Sequence, residues 1–310
     1  MIQIFDGHCD TVMRCVYDPN AHIAGTGGQW DLDQVEPVAQ VAQFFAFFWN
    51  SARVTEPAEV LLDRYYAAFR REMDTFSDRI VQCRTGEEID AAFAAGKQAA
   101  ILSVEGGELL DCSIPMLHKA YDMGVRAVNI TWNHANALAG SHMDHPERGL
   151  SPQGVAFVQE MEKLGMLPDV SHLSEAGFWD VIETAKKPII ATHSNSQNTY
   201  FHSRNLTDAQ FQAIIKNNGI VGLNGYTDFI GAGEVTAVTL MRHLEHFLSL
   251  GGEKVVALGG DWDGCDSLPQ GWTGIWSWAE FYELLLRENY PESLVRDLFF
   301  NNLMRTVRQL

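Results

Sequence analysis

Basic residues are scarce in this sequence and never run together beyond a pair. Lys and Arg number 22 against 40 Asp and Glu, giving a formal net charge of −18 over 310 residues. Phosphate backbones and anionic lipid surfaces recruit basic patches, so neither is expected as a partner of so acidic a chain. Long apolar runs are also missing. No segment reaches the roughly 18 residues needed to cross a bilayer, and Met1-Ile2-Gln3-Ile4-Phe5 has neither the basic nor the long apolar region of a secretory signal. Cys9, Cys15, Cys83, Cys112 and Cys265 are scattered, odd in number and free of any Cys-x-x-Cys pair. Reduced, structural thiols in a cytoplasmic protein are the expectation. Low-complexity tracts, linkers and internal repeats are absent as well.

Short apolar runs do recur, and they alternate with longer amphipathic ones. Gln3–His8, Ala42–Phe48, Ala99–Val104, Ala127–Trp132, Leu167–Ser171, Ile189–Thr192, Ile220–Asn224 and Val255–Gly260 read as eight strands. Between them lie helical patterns at Pro57–Phe76, Glu87–Ala95, Pro115–Met123, Pro152–Leu164, Ser174–Thr184, Asp208–Lys216 and Ala237–Leu250. Ser277–Arg287 and Glu292–Gln309 close the chain, while 18–37 and 265–276 read as loops. Ser151-Pro152, Ser174 and Thr207 supply helix starts. Gly124, Gly165, Gly219 and Gly251 follow helical runs where a left-handed cap is favoured. Eight strands alternating with helices predict a single (β/α)₈ barrel, TIM-like, as one domain over residues 1–310.

In such a barrel the reactive face lies at the carboxyl ends of the strands. Metal-ligand residue types fall there repeatedly: His8 and Asp10, then Glu105, His172, His193 and Asp261. Strand alternation would put His8 and Asp10 on one face. Each residue alone has an ordinary alternative. Asp10 can cap a turn, Glu105 can serve a tight loop, Asp261 can accept in an Asx-turn, and a His beside an apolar run is commonly a hydrogen-bonded core residue. Their joint placement at one end of five strands favours a metal site. Six ligands exceed the usual three of a single catalytic zinc and suit two metals sharing a carboxylate.

The ordered set of motifs resembles the membrane dipeptidase (renal dipeptidase) family of zinc peptidases, within the amidohydrolase-like barrels. Its carriers are Asp6-Gly7-His8-Cys9-Asp10, Val104-Glu105-Gly106-Gly107, Thr131-Trp132-Asn133, Asp169-Val170-Ser171-His172, Thr192-His193-Ser194, Ser203-Arg204-Asn205 and Gly259-Gly260-Asp261-Trp262-Asp263-Gly264. The resemblance implies two Zn²⁺ per chain, with His8, Asp10 and Asp261 at one, His172 and His193 at the other, and Glu105 bridging. It implies hydrolysis of dipeptides carrying a free carboxylate, through a zinc-bridging hydroxide, with Arg204 on that carboxylate. Asp261 is the candidate proton carrier beside the bridging Glu105.

The chain departs from the family after the fourth strand, where Trp132 follows Thr131 in place of the family's substrate-binding histidine, so that the role is either absent or taken by another residue. His134 is the nearest imidazole and the candidate for that role, catalytic and substrate-binding. Tyr226 is a candidate lining residue. His142 and His145 read as loop residues, and His243 and His246 as a solvated helix face. Asp263 is read as sharing the face of Asp261 or turning the chain. Trp272, Trp276 and Trp278 suit a pocket wall, a core or a contact in a homodimer. Rival readings are another binuclear-metal amidohydrolase (a deaminase, cyclic amidase or lactonase) and a non-catalytic metal-binding barrel. Many of the rival enzymes begin with His-x-His and bridge with lysine, where this chain has His8-Cys9-Asp10 and Glu105.

Overall fold

Nine parallel strands organise the computed structural model, which describes residues 1–50 and 54–310. They are β1 (Ile2–Cys9), β2 (Ala39–Phe48), β3 (Ile80–Gln82), β4 (Gln98–Glu105), β5 (Val125–Asn129), β6 (Leu167–Asp169), β7 (Ile190–Ala191), β8 (Ile220–Leu223) and β9 (Val256–Leu258). β1 pairs with both β2 and β9, β2 also pairs with β4, and β4 through β9 follow in order, so eight strands close a barrel. All eight predicted runs are among them. The extra strand, β3, pairs only with the start of β4 and takes no part in closure. At three residues it is too short to show a periodicity.

Inside the barrel, Phe5, Phe44, Ile101, Leu167, Ile190 and Ile220 form an apolar layer. Phe300, Leu303, Met304 and Val307 from the C-terminal helices pack against it. That end of the barrel is therefore plugged with hydrocarbon, and the polar chemistry is confined to the other. The predicted Glu292–Gln309 helix is broken into Glu292–Arg296 and Asn302–Val307 by a π-turn at Asp297–Asn301. A larger apolar cluster fills the shell between barrel and outer helices.

Local chemistry explains most helix ends. The N–H groups of Gly154, Gly177 and Gln210 donate to the hydroxyls of Ser151, Ser174 and Thr207, and Gln210 completes a capping box. Gly124, Gly165 and Gly251 have φ of 103°, 75° and 89° as expected. Gly219 does not. Asn218 takes the left-handed turn (φ 56°), while a Cβ at Gly219 would lie 2.4 Å from the Ile189 carbonyl oxygen. Gly219 is there for space rather than for handedness. Short helices at Thr11–Tyr17, Leu32–Val35 and Thr227–Ile230 lie outside the predicted helical patterns. Among the described residues no helix is long and apolar enough to cross a membrane.

Candidate active site

The six ligand-type residues converge at the carboxyl ends of the barrel strands, all buried. His8 lies at the end of β1 and Asp10 directly follows it, Glu105 ends β4, and His172, His193 and Asp261 follow β6, β7 and β9. Their donor atoms form three overlapping sets, each within 4.8 Å: His8, Asp10 and Glu105; Glu105, His172 and His193; His8, His193 and Asp261. The two oxygens of Glu105 face opposite ways. Oε2 lies 3.5 Å from His8 Nε2, while Oε1 lies 2.9 Å from His172 Nε2 and 3.5 Å from His193 Nε2. Asp10 Oδ2 and Asp261 Oδ1 stand 3.6 and 4.0 Å from His8 Nε2.

Strict alternation does not bring His8 there. The pairing of β1 with β2 shifts register between Asp6 and Cys9, the kind of irregularity that re-aims side chains at barrel rims. Asp6 accepts from the N–H groups of His8 and Gly260 and from the indoles of Trp262 and Trp278, tying the ends of β1 and β9 together. Backbone strain marks the same rim. His172, Asp261 and Asp263 hold φ of 70°, 64° and 62°, a region L-residues occupy at a cost. Beside them a Cβ at Gly264 would lie 2.1 Å from Asp10 Oδ2 and 2.7 Å from Asp261 Oδ1, so only glycine fits.

Outer contacts set the ring orientations. His172 Nδ1 is 2.8 Å from Asn133 Oδ1 and donates to it, leaving the Nε2 lone pair toward Glu105. His193 Nδ1 is 2.8 Å from Thr192 Oγ1, which donates in turn to the buried Asp169. This is the pattern by which proteins fix a ligating imidazole. Asn224 Nδ2 donates to Asp261 Oδ2 at 3.0 Å.

The electrostatics call for cations. His172 and His193 Nε2 stand 2.9 Å apart, and burial drives both pKa values well below the usual range. Two lone pairs facing at that distance repel unless a positive charge lies between them. Burial likewise raises the pKa of Glu105 and of Asp261. Burial opposes protonation of His8, but Glu105 and Asp10 outweigh it and hold its pKa well above normal. Both His8 ring nitrogens and Asp10 Oδ1 are buried without a hydrogen-bond partner among the described residues. Buried polar atoms are seldom left so, and this donor set of imidazole nitrogens and carboxylate oxygens fits zinc.

A cavity of about 390 Å³ opens above the cluster. Asp10, Glu105, His172 and Asp261 line its floor; Met13, Phe48, Val54 and Trp132 form an apolar wall, and Asn133 and Tyr226 add polar atoms. Arg204 is buried next to this floor, its guanidinium carbon 5.3 Å from the centre of the Phe229 ring. It donates to the His193 carbonyl at 3.1 Å and more weakly to Ser194 Oγ, while its Nε has no partner among the described residues. Burial lowers its pKa to about 10, so it stays charged near neutrality.

The other expectations divide. His134 is exposed, does not line the cavity and packs its ring edge on Trp132, because its side chain leaves the loop on the solvent side. His142, read as an ordinary loop residue, is joined to the site: its Nε2 is 2.9 Å from Asn133 Oδ1 and its Nδ1 2.9 Å from Ser203 Oγ. Burial, with Arg204 and His202 nearby, lowers its pKa to about 2. His243 is buried rather than solvated, bonded to the Ser196 N–H and the Ile230 carbonyl, while His246 pairs with Asp208. Asp263 is turned away from the cluster and accepts from Thr11 Oγ1 and the Gln29 N–H. Trp272 and Trp278 are core, packed with Trp262. No sequence signal distinguished His142 from His145, since only the folded loop brings it against Asn133.

Comparison with known proteins agrees with this geometry. The family model of the membrane dipeptidases (peptidase family M19) matches residues 1–310. An uncharacterized dipeptidase of Schizosaccharomyces pombe is 33% identical over 239 residues, 73% of this chain and 56% of its own length. The chain thus spans little more than half of that curated relative. A metallopeptidase from Rhodobacter sphaeroides, whose crystal structure is liganded with a phosphinate mimic of the dipeptide L-Ala-D-Ala, is 27% identical with a TM-score of 0.91, covering 99% of both chains. Dipeptidase AC, a metallopeptidase of the same family, is 28% identical with a TM-score of 0.91 over 99% of this chain and 98% of its own. With a buried His, Glu and Asp cluster at the mouth of a parallel barrel, and a family model that matches from end to end, the chain belongs to the membrane dipeptidase family.

Proposed function

We propose that the chain, as one barrel domain, is a zinc-dependent dipeptidase that cleaves dipeptides bearing a free carboxylate. The observation that carries this reading is the division of Glu105, whose two oxygens serve two separate groups of ligand atoms. Two Zn²⁺ per chain would be held by His8, Asp10 and Asp261 on one side and His172 and His193 on the other, with Glu105 bridging. His193 also lies within reach of the first group, through His8 and Asp261. Two divalent ions against three buried carboxylates leave one net positive charge, the sign that draws the oxygens of a dipeptide. Zinc in such a site lowers the pKa of water and polarises a carbonyl.

The chain's own residues supply the rest. Arg204, buried beside the cavity floor and charged near neutrality, would hold the substrate carboxylate, for which a planar guanidinium is suited. Tyr226 and the apolar wall shape the cavity around the substrate side chains. Attack by water on the scissile carbonyl releases a proton, and the departing amine requires one. Asp261 is the proposed carrier: Asn224 donates to its Oδ2 and holds the carboxylate at the edge of the cluster, where it can accept that proton and pass it on. A phosphinate mimic of a dipeptide bound to a relative supports the substrate class.

The test is hydrolysis of a dipeptide panel of both stereochemistries, with and without chelator, alongside metal analysis. Turnover that disappears on chelation and returns with Zn²⁺, with two metals per chain, is expected. Chelator-resistant turnover, or no cleavage of any dipeptide by the zinc-loaded protein, overturns the reading.

A further inference from the structure

Asn133 has two jobs for one side chain, and only one of them is structural. Its Oδ1 accepts from two imidazoles at once, His172 Nδ1 at 2.8 Å and His142 Nε2 at 2.9 Å. His142 is held from behind by Ser203, whose hydroxyl is 2.9 Å from Nδ1. Ser203 directly precedes Arg204, so the chain of bonds runs from the arginine loop to His172. Ser141 Oγ donates to the Asn133 main-chain carbonyl at 2.6 Å and fixes the backbone as well.

This network decides which way the amide faces. Resting on the metal reading above, His172 must present its Nε2 lone pair beside Glu105 Oε1, 2.9 Å away. Its ring proton is then on Nδ1, and only a carbonyl oxygen can stand opposite. A flipped amide would oppose N–H to N–H. With the oxygen taken twice, the Nδ2 amine has no acceptor among the described residues, although Asn133 lines the cavity beside His172 and Glu105. The few polar groups of such a cavity are the ones that fix the orientation of a ligand.

We propose that Asn133 is a substrate-binding residue whose Nδ2 donates to an oxygen of the bound dipeptide, with Oδ1 locked in place by His172 and His142. Two oxygens share this chemistry, the scissile carbonyl and the terminal carboxylate. His134, the imidazole nearest in sequence, is on the solvent side and is not needed for the contact.

Asn133→Asp separates the two jobs, because a carboxylate still accepts from both imidazoles but cannot donate to the substrate. The zinc-loaded variant should keep the native metal content and bind a phosphinate dipeptide mimic at least ~10-fold more weakly by calorimetry. A similar loss in KM for dipeptides is expected. Asn133→Ser is the companion variant, its hydroxyl able to accept from one imidazole but too short to reach the ligand, and the same loss with metal retained is expected. Repeating both with a ligand that lacks the C-terminal carboxyl group assigns the oxygen: a penalty that persists points to the scissile carbonyl, one that vanishes to the carboxylate. Native affinity in either metallated variant overturns the proposal. Loss of metal in both variants also overturns it, leaving Asn133 as a positioning residue for His172 alone. A wild-type protein that neither binds the mimic nor cleaves dipeptides sinks the functional reading first, which separates the two failures.

Discussion

At the scale of single residues, the site combines groups that are costly to bury with contacts that fix them. Asp261 is the clearest case, since it is both ligand-placed and anchored by Asn224. Asp261→Asn preserves shape and one ligating oxygen but cannot carry a proton. Turnover should fall at least ~10²-fold with both metals retained, as read by steady-state kinetics and metal analysis. Near-native turnover would leave Asp261 as a ligand only. Arg204 makes a different prediction. Arg204→Lys should weaken turnover of free dipeptides and leave metal content unchanged, because an ammonium cannot offer the two parallel donors of a guanidinium. Amidated dipeptides should already be poor substrates of the native protein. Equal rates on free and amidated substrates would give Arg204 another role.

Elements are held together by close approach as much as by apolar area. The Thr192 carbonyl oxygen, after β7, points into the barrel and is crowded by glycines of neighbouring strands. A Cβ at Gly222 would lie 2.0 Å from it and one at Gly259 only 1.7 Å. Gly259→Ala must therefore push β9 off β7, and with it Asp261 and His193. Destabilisation of about 4 kcal/mol or more is expected from denaturant melts, with loss of metal. Near-native stability would mean the barrel yields there at little cost. Helix caps are a milder matter: Thr207 with Gln210 is worth about 1 kcal/mol, and that helix touches no ligand directly.

For the molecule as a whole, folding depends on balancing the acid it buries. Three carboxylates and three imidazoles share the barrel mouth, and Arg204 is the buried cation nearby. Removing metal should lower the melting temperature by about 5–10 °C, and Zn²⁺ should restore it. An unchanged melt on chelation would show that the cluster is stable without ions. Glu108 gives a pH dependence outside the metal cluster. Burial raises its pKa from 4.5 to about 7, against the opposing hydrogen bond from Asn136 Nδ2 at 2.7 Å. A folded pKa above the unfolded one favours the protonated form, so its contribution is full below about pH 4.5 and lost as pH rises through 7. Glu108→Gln should therefore match the native protein near pH 4.5 and exceed it at pH 8 by about 1–3 kcal/mol, read from urea midpoints with metal held constant. A difference that does not grow with pH would place the charge in solvent.

The order of strands and the ligand types at their ends were legible from the sequence, because hydrophobic periodicity and residue chemistry are local properties. The apolar runs announced the eight barrel strands, and His8, Asp10, Glu105, His172, His193 and Asp261 could be picked out beside them. What alternation could not deliver was the aim of each side chain. His8 reaches the cluster through a register shift in β1, and His172 and Asp261 through left-handed backbone. The loop after β5 shows the same division. Its sequence offers His134, His142 and His145 as equals, while the fold exposes His134 and His145 and half-buries His142 against Asn133. Such a choice depends on which surface the loop meets, and Ser203 and His172 come from elements far along the chain. Which way Glu105 divides its two oxygens is likewise set only when β1, β6 and β7 close around it.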